Sequence, residues 1–205
     1  MNFNLDTFKN RVLAHLPHWW LSIFLIFFSW FIIKQFWIAI DSNIFVAVNY
    51  NHVFGFSIIY FFMDNLSLII HEAGHTIFGI FVWRFLTIFG GTLLECMIPF
   101  LIAVFGWKNR KLFTTQAALY WLGFTWFEAA AYASDAYSRQ LPLIGNLPKS
   151  AHDYFNILSE INLLSHYKSV AWALFFVGCL ILLLGILFPV IHFKRAKEVH
   201  LNLDL

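Results

Sequence analysis

Residues 170–193 form one apolar run that contains no Asp, Glu, Lys or Arg. An α-helix needs about 20 apolar residues to cross the hydrocarbon core of a bilayer, so this run is long enough to span a membrane. Comparable runs recur along the chain, and Trp residues cluster near their ends, as interfacial aromatic residues do. We therefore predict an all-α integral membrane protein, a bundle of about five transmembrane helices with an N-terminal interfacial helix.

The predicted membrane domain covers residues 1–205 as a single unit. The segment 1–18 is predicted to be the interfacial helix, because Leu5, Phe8, Val12 and Leu16 share one helical face. The longest connection, 138–169, is predicted to be a loop with a short amphipathic helix in its second half. The five predicted spans cover about 19–40, 53–82, 92–107, 112–137 and 170–193.

Composition excludes several classes of protein. Of the 205 residues, 60% are hydrophobic and 12% are charged, whereas soluble domains carry about 25% charged residues. The net charge of +2 is too small to indicate nucleic-acid binding, so the expected surroundings are the lipid bilayer. Cys96 and Cys179 lie in separate apolar runs, and they indicate neither a disulfide framework nor a cysteine metal site.

The second predicted span contains an unusual polar motif, His71-Glu72-Ala73-Gly74-His75. Residues four apart lie on the same face of a helix, so the two imidazoles can hold one Zn²⁺ ion. Glu72 can then act as the general base that activates water. Ionisable groups inside spans cost about 2.5–3.5 kcal/mol each on insertion scales, which favours a functional role. The motif therefore predicts a zinc site with catalytic Glu72.

Catalytic zinc usually has three protein ligands and an open position for water. Four residues are candidates for the third ligand, because the predicted topology places them on the same side of the membrane as the motif: Glu95, Asp135, His152 and Asp153. We favour Asp135, which lies late in the fourth span at about the depth of the motif. Glu95 follows His75 by 20 residues, a spacing that resembles soluble gluzincins. His152 and Asp153 can ligate the metal or orient a ligand or water.

Other polar and glycine residues have weaker signals. Gly90-Gly91 is predicted to form an irregular backbone that binds an extended peptide substrate. Asp64 precedes His71 by seven residues and shares its helical face, but it lies about 10 Å away along the axis. It is therefore predicted to cap the span or to line a pore. Glu128 lies on the same predicted face as Asp135 and could support a ligand.

These residues resemble the site-2 protease class of intramembrane zinc metallopeptidases. The resemblance rests on HExxH inside a span, a Gly-rich segment after it and an acidic residue two spans later. "GGTLLECMIP", "SDAYSRQLPLIG" and "HDYF" are similar to small bacterial membrane proteins related to that class. The resemblance implies that His71, His75 and Asp135 hold zinc and that Glu72 is the base. It also implies a multi-pass protein of the bacterial inner membrane with a cytoplasmic N-terminus.

Three functions are compatible with the sequence. The first is a zinc metalloprotease that hydrolyses peptide bonds of membrane-protein or peptide substrates with zinc-activated water. The second is a non-catalytic zinc-binding membrane protein, such as a transporter or a sensor. The third is a zinc hydrolase that acts on lipid amides or esters. Glu72 favours the enzymes, because a binding site does not need a base between its two histidines.

Overall fold

A computed structural model describes the backbone of residues 5–42 and 54–203 and the side chains of residues 19–42 and 56–192. The described chain is all α-helical. Its α-helices are α1 (Leu5–Ser42), α2 (Phe54–Gly79), α3 (Arg84–Lys108), α4 (Leu112–Ser134), α5 (Asp153–Glu160) and α6 (Tyr167–Leu203). Three short 3-10 turns lie between α4 and α6. The all-α prediction is confirmed.

Helix α1 joins two segments that the sequence analysis treats separately. It runs from Leu5 to Ser42 without interruption, so residues 5–18 of the predicted interfacial segment and the first predicted span belong to one helix. The side chains of 1–18, on which the amphipathic prediction depends, lie outside the described residues.

Three helical segments are long and apolar enough to cross a membrane: Trp19–Ser42, Arg84–Lys108 and Leu164–His192. Helices α2 and α4 are also long, but α2 carries Asp64 and the HExxH motif, and α4 carries Gln116 and Glu128. These polar groups lower their hydropathy. The arrangement of five spans therefore remains a prediction, with three candidate spans in the described chain.

Helix α4 lies at the centre of the bundle. It packs against α6, α3 and α1, while α2 packs mainly against α3 and the short α5 lies against α3 and α4. Gly123 and Gly178 allow α4 and α6 to approach closely, because a Cβ on Gly123 would lie 3.0 Å from the carbonyl oxygen of Gly178. The core between the helices is rich in aromatic side chains, among them Phe28, Phe124, Phe127 and Phe175.

The outward faces of the helices are apolar as well. Trp30, Phe62, Ile69 and Phe105 are each more than 60% exposed. A soluble monomer rarely exposes so much contiguous apolar surface, whereas lipid-facing helices do. The outer surface therefore fits a hydrocarbon environment.

Gly90 and Gly91 lie inside α3 and not in the irregular segment that was predicted before the third span. Both residues are buried. A Cβ on Gly74 would lie 2.2 Å from the carbonyl oxygen of Gly90, so these small residues allow α2 and α3 to cross in close contact. Their backbone groups belong to a regular helix, which does not leave a free edge for strand pairing. Their structural role is close packing beside the HExxH motif.

Candidate metal centre

The two histidines of the motif meet one carboxylate at the start of α5. The Nε2 atom of His71 lies 3.1 Å from Oδ2 of Asp153, and the Nε2 atom of His75 lies 3.2 Å from the same oxygen. One ligand atom from each of these residues lies within 4.8 Å of the others, so the group could hold a metal ion. Two ligands of a tetrahedral zinc ion are separated by about 3.4 Å when each bond is about 2.1 Å, which is close to these contacts.

The hydrogen-bond partners of His75 favour a positive charge beside its Nε2 atom. Its Nδ1 donates to the carbonyl oxygen of Thr87 at 2.9 Å, because a carbonyl can only accept. In a neutral imidazole, Nε2 then carries a lone pair. This lone pair faces Oδ2 of Asp153, which is also an acceptor. Either a proton on Nε2 or a metal ion between these two atoms removes the repulsion between them.

His71 leads to the same conclusion, because it lies between two carboxylates. Its Nδ1 is 3.0 Å from Oε2 of Glu95, and its Nε2 is 3.1 Å from Asp153. A neutral imidazole has one hydrogen, so it cannot donate to both. If the hydrogen is on Nδ1, Nε2 is free to bind a metal, and Glu95 orients the ring as carboxylates do in carboxylate–histidine–zinc arrangements. The residues present therefore fit a divalent cation held by His71, His75 and Asp153.

Asp153 is held in place by the chain around it. Its backbone N–H donates to the hydroxyl oxygen of Tyr132 on α4 at 3.2 Å. The preceding residue, His152, caps α5 by accepting a hydrogen bond from the backbone N–H of Phe155. Burial raises the pKa of the Asp153 carboxyl group, whereas hydrogen bonds and positive charge from His71 and His75 in their protonated forms lower it to about 2. The carboxylate is therefore negatively charged at neutral pH, as a metal ligand must be.

The structure does not bring Asp135, the favoured third ligand, into this group. Asp135 follows the last residue of α4, and its carboxylate accepts hydrogen bonds from the Ser138 hydroxyl and from the backbone N–H groups of Gln140 and Leu141. It also accepts one from Nε2 of His152 at 3.3 Å. Asp135 thus ties the loop after α4 to the residue that precedes Asp153.

The four candidates for the third ligand lie at different places relative to the two histidines. Asp153 faces the two histidines, Glu95 contacts the far nitrogen of His71, and His152 lies between Asp135 and the start of α5. The described geometry favours Asp153 as the ligand. The other three residues are placed to orient His71 or Asp153.

Glu72 and two of the three metal-ligand residues, His71 and Asp153, line one cavity of about 200 Å³. Glu72 itself is exposed, while His71 and Asp153 are buried. The segment 141–144 also lines the cavity, and it begins at Leu141, whose backbone N–H donates to Asp135. A carboxylate that lines a cavity next to a metal position can exchange protons with a molecule bound there.

Gly91 provides a test of the close contact between α3 and the histidines. A Cβ at this position would lie 2.6 Å from Nε2 of His71 and 2.7 Å from Cε1 of His75. We expect Gly91→Ala to displace both rings, to weaken zinc binding by at least about tenfold and to destabilise the fold by about 1–3 kcal/mol. Zinc titration and thermal unfolding of the purified protein in detergent measure the two effects.

The control for this variant is Gly79→Ala in the neighbouring helix. A Cβ on Gly79 would meet Cγ2 of Thr87 at 3.6 Å, an ordinary van der Waals contact. This variant should bind zinc as the wild type does. Unchanged zinc affinity in Gly91→Ala would show that its histidine rings do not hold the ion where the structure places them.

Two groups that position the metal-ligand residues are not predicted from the sequence. Tyr132 supports Asp153, and its position four residues after Glu128 on α4 was a usable signal, because such residues share a helical face. Thr87 orients His75 through its backbone carbonyl, and no side-chain pattern indicates such a contact.

Comparisons of the chain with protein-family models, curated proteins and solved structures find no match. The chemistry of the site residues therefore carries the functional interpretation. The described structure has three helices able to cross a membrane and a buried His71, His75 and Asp153 group that could hold a metal ion.

Proposed function

We propose that the protein is a membrane-embedded zinc metalloprotease that hydrolyses peptide bonds of membrane-protein substrates. One observation carries the proposal. The Nε2 atoms of His71 and His75 converge on one oxygen of Asp153, while Glu95 and the Thr87 carbonyl hold the opposite nitrogens. This set offers three ligands of the types that catalytic zinc uses, and such sites leave a fourth position for water.

Each polar residue at the site has a role in this reaction. Bound zinc would polarise the substrate carbonyl and supply water of lowered pKa. Glu72 accepts a proton from the attacking water and passes it to the nitrogen of the leaving amine. Glu95 fixes the orientation of His71, and Tyr132 fixes that of Asp153. The requirement for a base explains why a glutamate follows directly after the first histidine.

Three features favour a membrane substrate. The site belongs to a bundle whose outer faces are apolar, and three of its helical segments are long enough to span a bilayer. The cavity wall includes the apolar residues Leu141, Pro142, Leu143 and Ile144. The resemblance to site-2 proteases adds a multi-pass location in the bacterial inner membrane, with the N-terminus in the cytoplasm.

The proposal is tested with the purified full chain in detergent. We expect close to one zinc ion per chain, cleavage of peptides from a library of membrane-spanning sequences, loss of cleavage after chelation and recovery when zinc is restored. Mass spectrometry of the products identifies the bond that is cut. A lipid extract tested in parallel gives the competing result: release of fatty acids or amines without peptide cleavage would indicate a lipid hydrolase. Zinc binding without either activity would indicate a transporter or a sensor.

A further inference from the structure

The cavity beside the metal centre is lined by five carboxylate residues, more than the proposed reaction uses. These residues are Asp64, Glu72, Glu95, Glu128 and Asp153. Asp153 binds the metal in our proposal, Glu72 acts as the base and Glu95 orients His71. Asp64 and Glu128 have no part in this chemistry. Among the described residues that line the cavity there is no Lys or Arg to balance their charge.

Asp64 and Glu128 form a cluster with Glu95. The Glu128 carboxyl group contacts those of Asp64 and Glu95 and the hydroxyl of Ser67. Two buried oxygens in the cluster, Oε1 of Glu95 and Oε2 of Glu128, have no hydrogen-bond partner. Glu95 is only 5% exposed and lines the cavity. Buried acceptors without a donor cost about 1–3 kcal/mol each, and more when charged, so a donor at this end of the cavity would stabilise the cluster.

Basic side chains from the loop beside the cavity are engaged elsewhere. Arg139 lies over the ring of Phe155, and Lys149 donates to the carbonyl oxygen of Leu141 in an exposed contact. A substrate group that brings both positive charge and N–H donors would satisfy the cluster.

We propose that the cluster of Asp64, Glu95 and Glu128 is a binding subsite for a long basic side chain, Lys or Arg, of the substrate. The proposal rests on the proposed function for the identity of the substrate, but not for the binding of a cation. Asp64 and His71 are seven residues apart on α2, which is about 10 Å along the helix axis. An extended chain advances about 3.3 Å per residue, so the basic side chain lies within about three residues of the cleaved bond.

The walls of the cavity suit the aliphatic part of such a side chain. Phe36, Tyr60, Leu68 and Ile144 line the cavity together with the acidic cluster. Lys and Arg place their methylene groups along apolar surface while the charged end binds polar partners. The combination of apolar walls and an acidic end therefore favours a long basic side chain over a metal ion or a small cation.

The binding step can be measured without any cleavage. The probes are hexylguanidinium and its neutral analogue hexylurea, titrated calorimetrically into the zinc-loaded wild-type protein in detergent. The guanidinium ion has no free lone pair for zinc, so its binding does not report coordination to the metal. We expect it to bind at least about tenfold more tightly than hexylurea, as expected for hydrogen bonds to buried charged acceptors.

Variants identify the carboxylates responsible. Asp64→Asn and Glu128→Gln should each reduce the preference for guanidinium by about tenfold and leave the zinc content unchanged. Asp41→Asn, which alters an exposed carboxylate on α1 outside the cavity, is the matched control and should have no effect. Asp64 is not fully buried, so its variant keeps the test valid if Glu128→Gln does not fold.

Equal binding of the two probes, or a preference that survives in Asp64→Asn, would overturn the subsite. Equal binding would indicate that the carboxyl groups of the cluster form hydrogen bonds with one another by sharing protons.

The second measurement uses a cleaved membrane peptide with Lys, norleucine or Glu near the cut bond, and Lys should give the highest kcat/KM. If no peptide is cleaved but the guanidinium preference is present, the protease proposal fails while the cationic subsite stands.

Discussion

Zinc binding is expected to fall by about 100- to 1,000-fold in Asp153→Ala. Zinc contributes about 10–16 kcal/mol to sites with four protein ligands, which is about 2.5–4 kcal/mol for each ligand. When Asp153 is removed, the Nε2 atoms of His71 and His75 are the only two protein ligands left for the ion in this group. The affinity is measured by competition with a chromophoric chelator at fixed pH, because zinc and protons compete for the histidines.

Asp135→Asn is the comparison that separates a ligand from a positioning residue. The asparagine keeps the size of the side chain but replaces one of the oxygens that accept from Ser138, His152 and the loop backbone. Since Asp135 acts on the site through His152 and the loop, zinc affinity should decrease by about tenfold. Ser138→Ala removes a single donor to Asp135 and should have less effect still.

The order of these effects decides which aspartate binds the metal. If Asp135→Asn weakened zinc binding more than Asp153→Ala did, Asp135 would be the ligand, and the loop would have to rearrange when the ion binds. Circular dichroism of each variant in detergent separates loss of the metal from loss of the helical fold.

Local patterns in the sequence predict much of the metal centre. His71 and His75 are four residues apart on one helix, so their shared face follows from helical geometry alone. The apolar runs likewise predict the all-α fold, because their lengths match a bilayer. These features depend on spacing within one helix, and the sequence displays such spacing directly.

The third ligand could not be chosen from the sequence, because it depends on how a loop folds. Asp153 is 82 residues from His71 along the chain, and its position follows from the cap at His152 and the contact with Tyr132. Asp135 has the more suggestive location at the end of a predicted span, but its neighbours Gln140 and Leu141 turn back and occupy its carboxylate. Contacts of this kind depend on tertiary structure and have no periodic signal.

The Gly90-Gly91 pair shows a second limit of sequence reasoning. Two adjacent glycines favour a bend when they are considered alone. In the structure, the opposing Gly74 on α2 makes both residues part of a close helix crossing. The signal for this role is the matching glycine inside the HExxH motif, and it becomes informative only when α2 and α3 are known to be neighbours.

Glu72→Gln is expected to retain zinc and to lose peptide hydrolysis by about 100- to 10,000-fold, the usual contribution of a general base. Glutamine has nearly the same shape as glutamate but cannot accept a proton from water. Glu72 is outside the group formed by His71, His75 and Asp153, so zinc content and affinity should stay close to wild type. The measurement compares kcat on a cleaved membrane peptide at zinc saturation, so that incomplete metal loading does not contribute.

The matched control for Glu72→Gln is Asp41→Asn, which removes a carboxylate that is exposed on α1 and does not line the cavity. Its kcat should equal that of the wild type. If Glu72→Gln kept full activity, Glu72 would not be the base, and the cavity carboxylates that contact neither the metal nor His71, Asp64 and Glu128, would be the next candidates. If the variant lost zinc together with activity, Glu72 would be a ligand, and the arrangement of two histidines and Asp153 would be incomplete. Only retained zinc with lost hydrolysis is consistent with an exposed carboxylate that accepts a proton beside a buried metal ion.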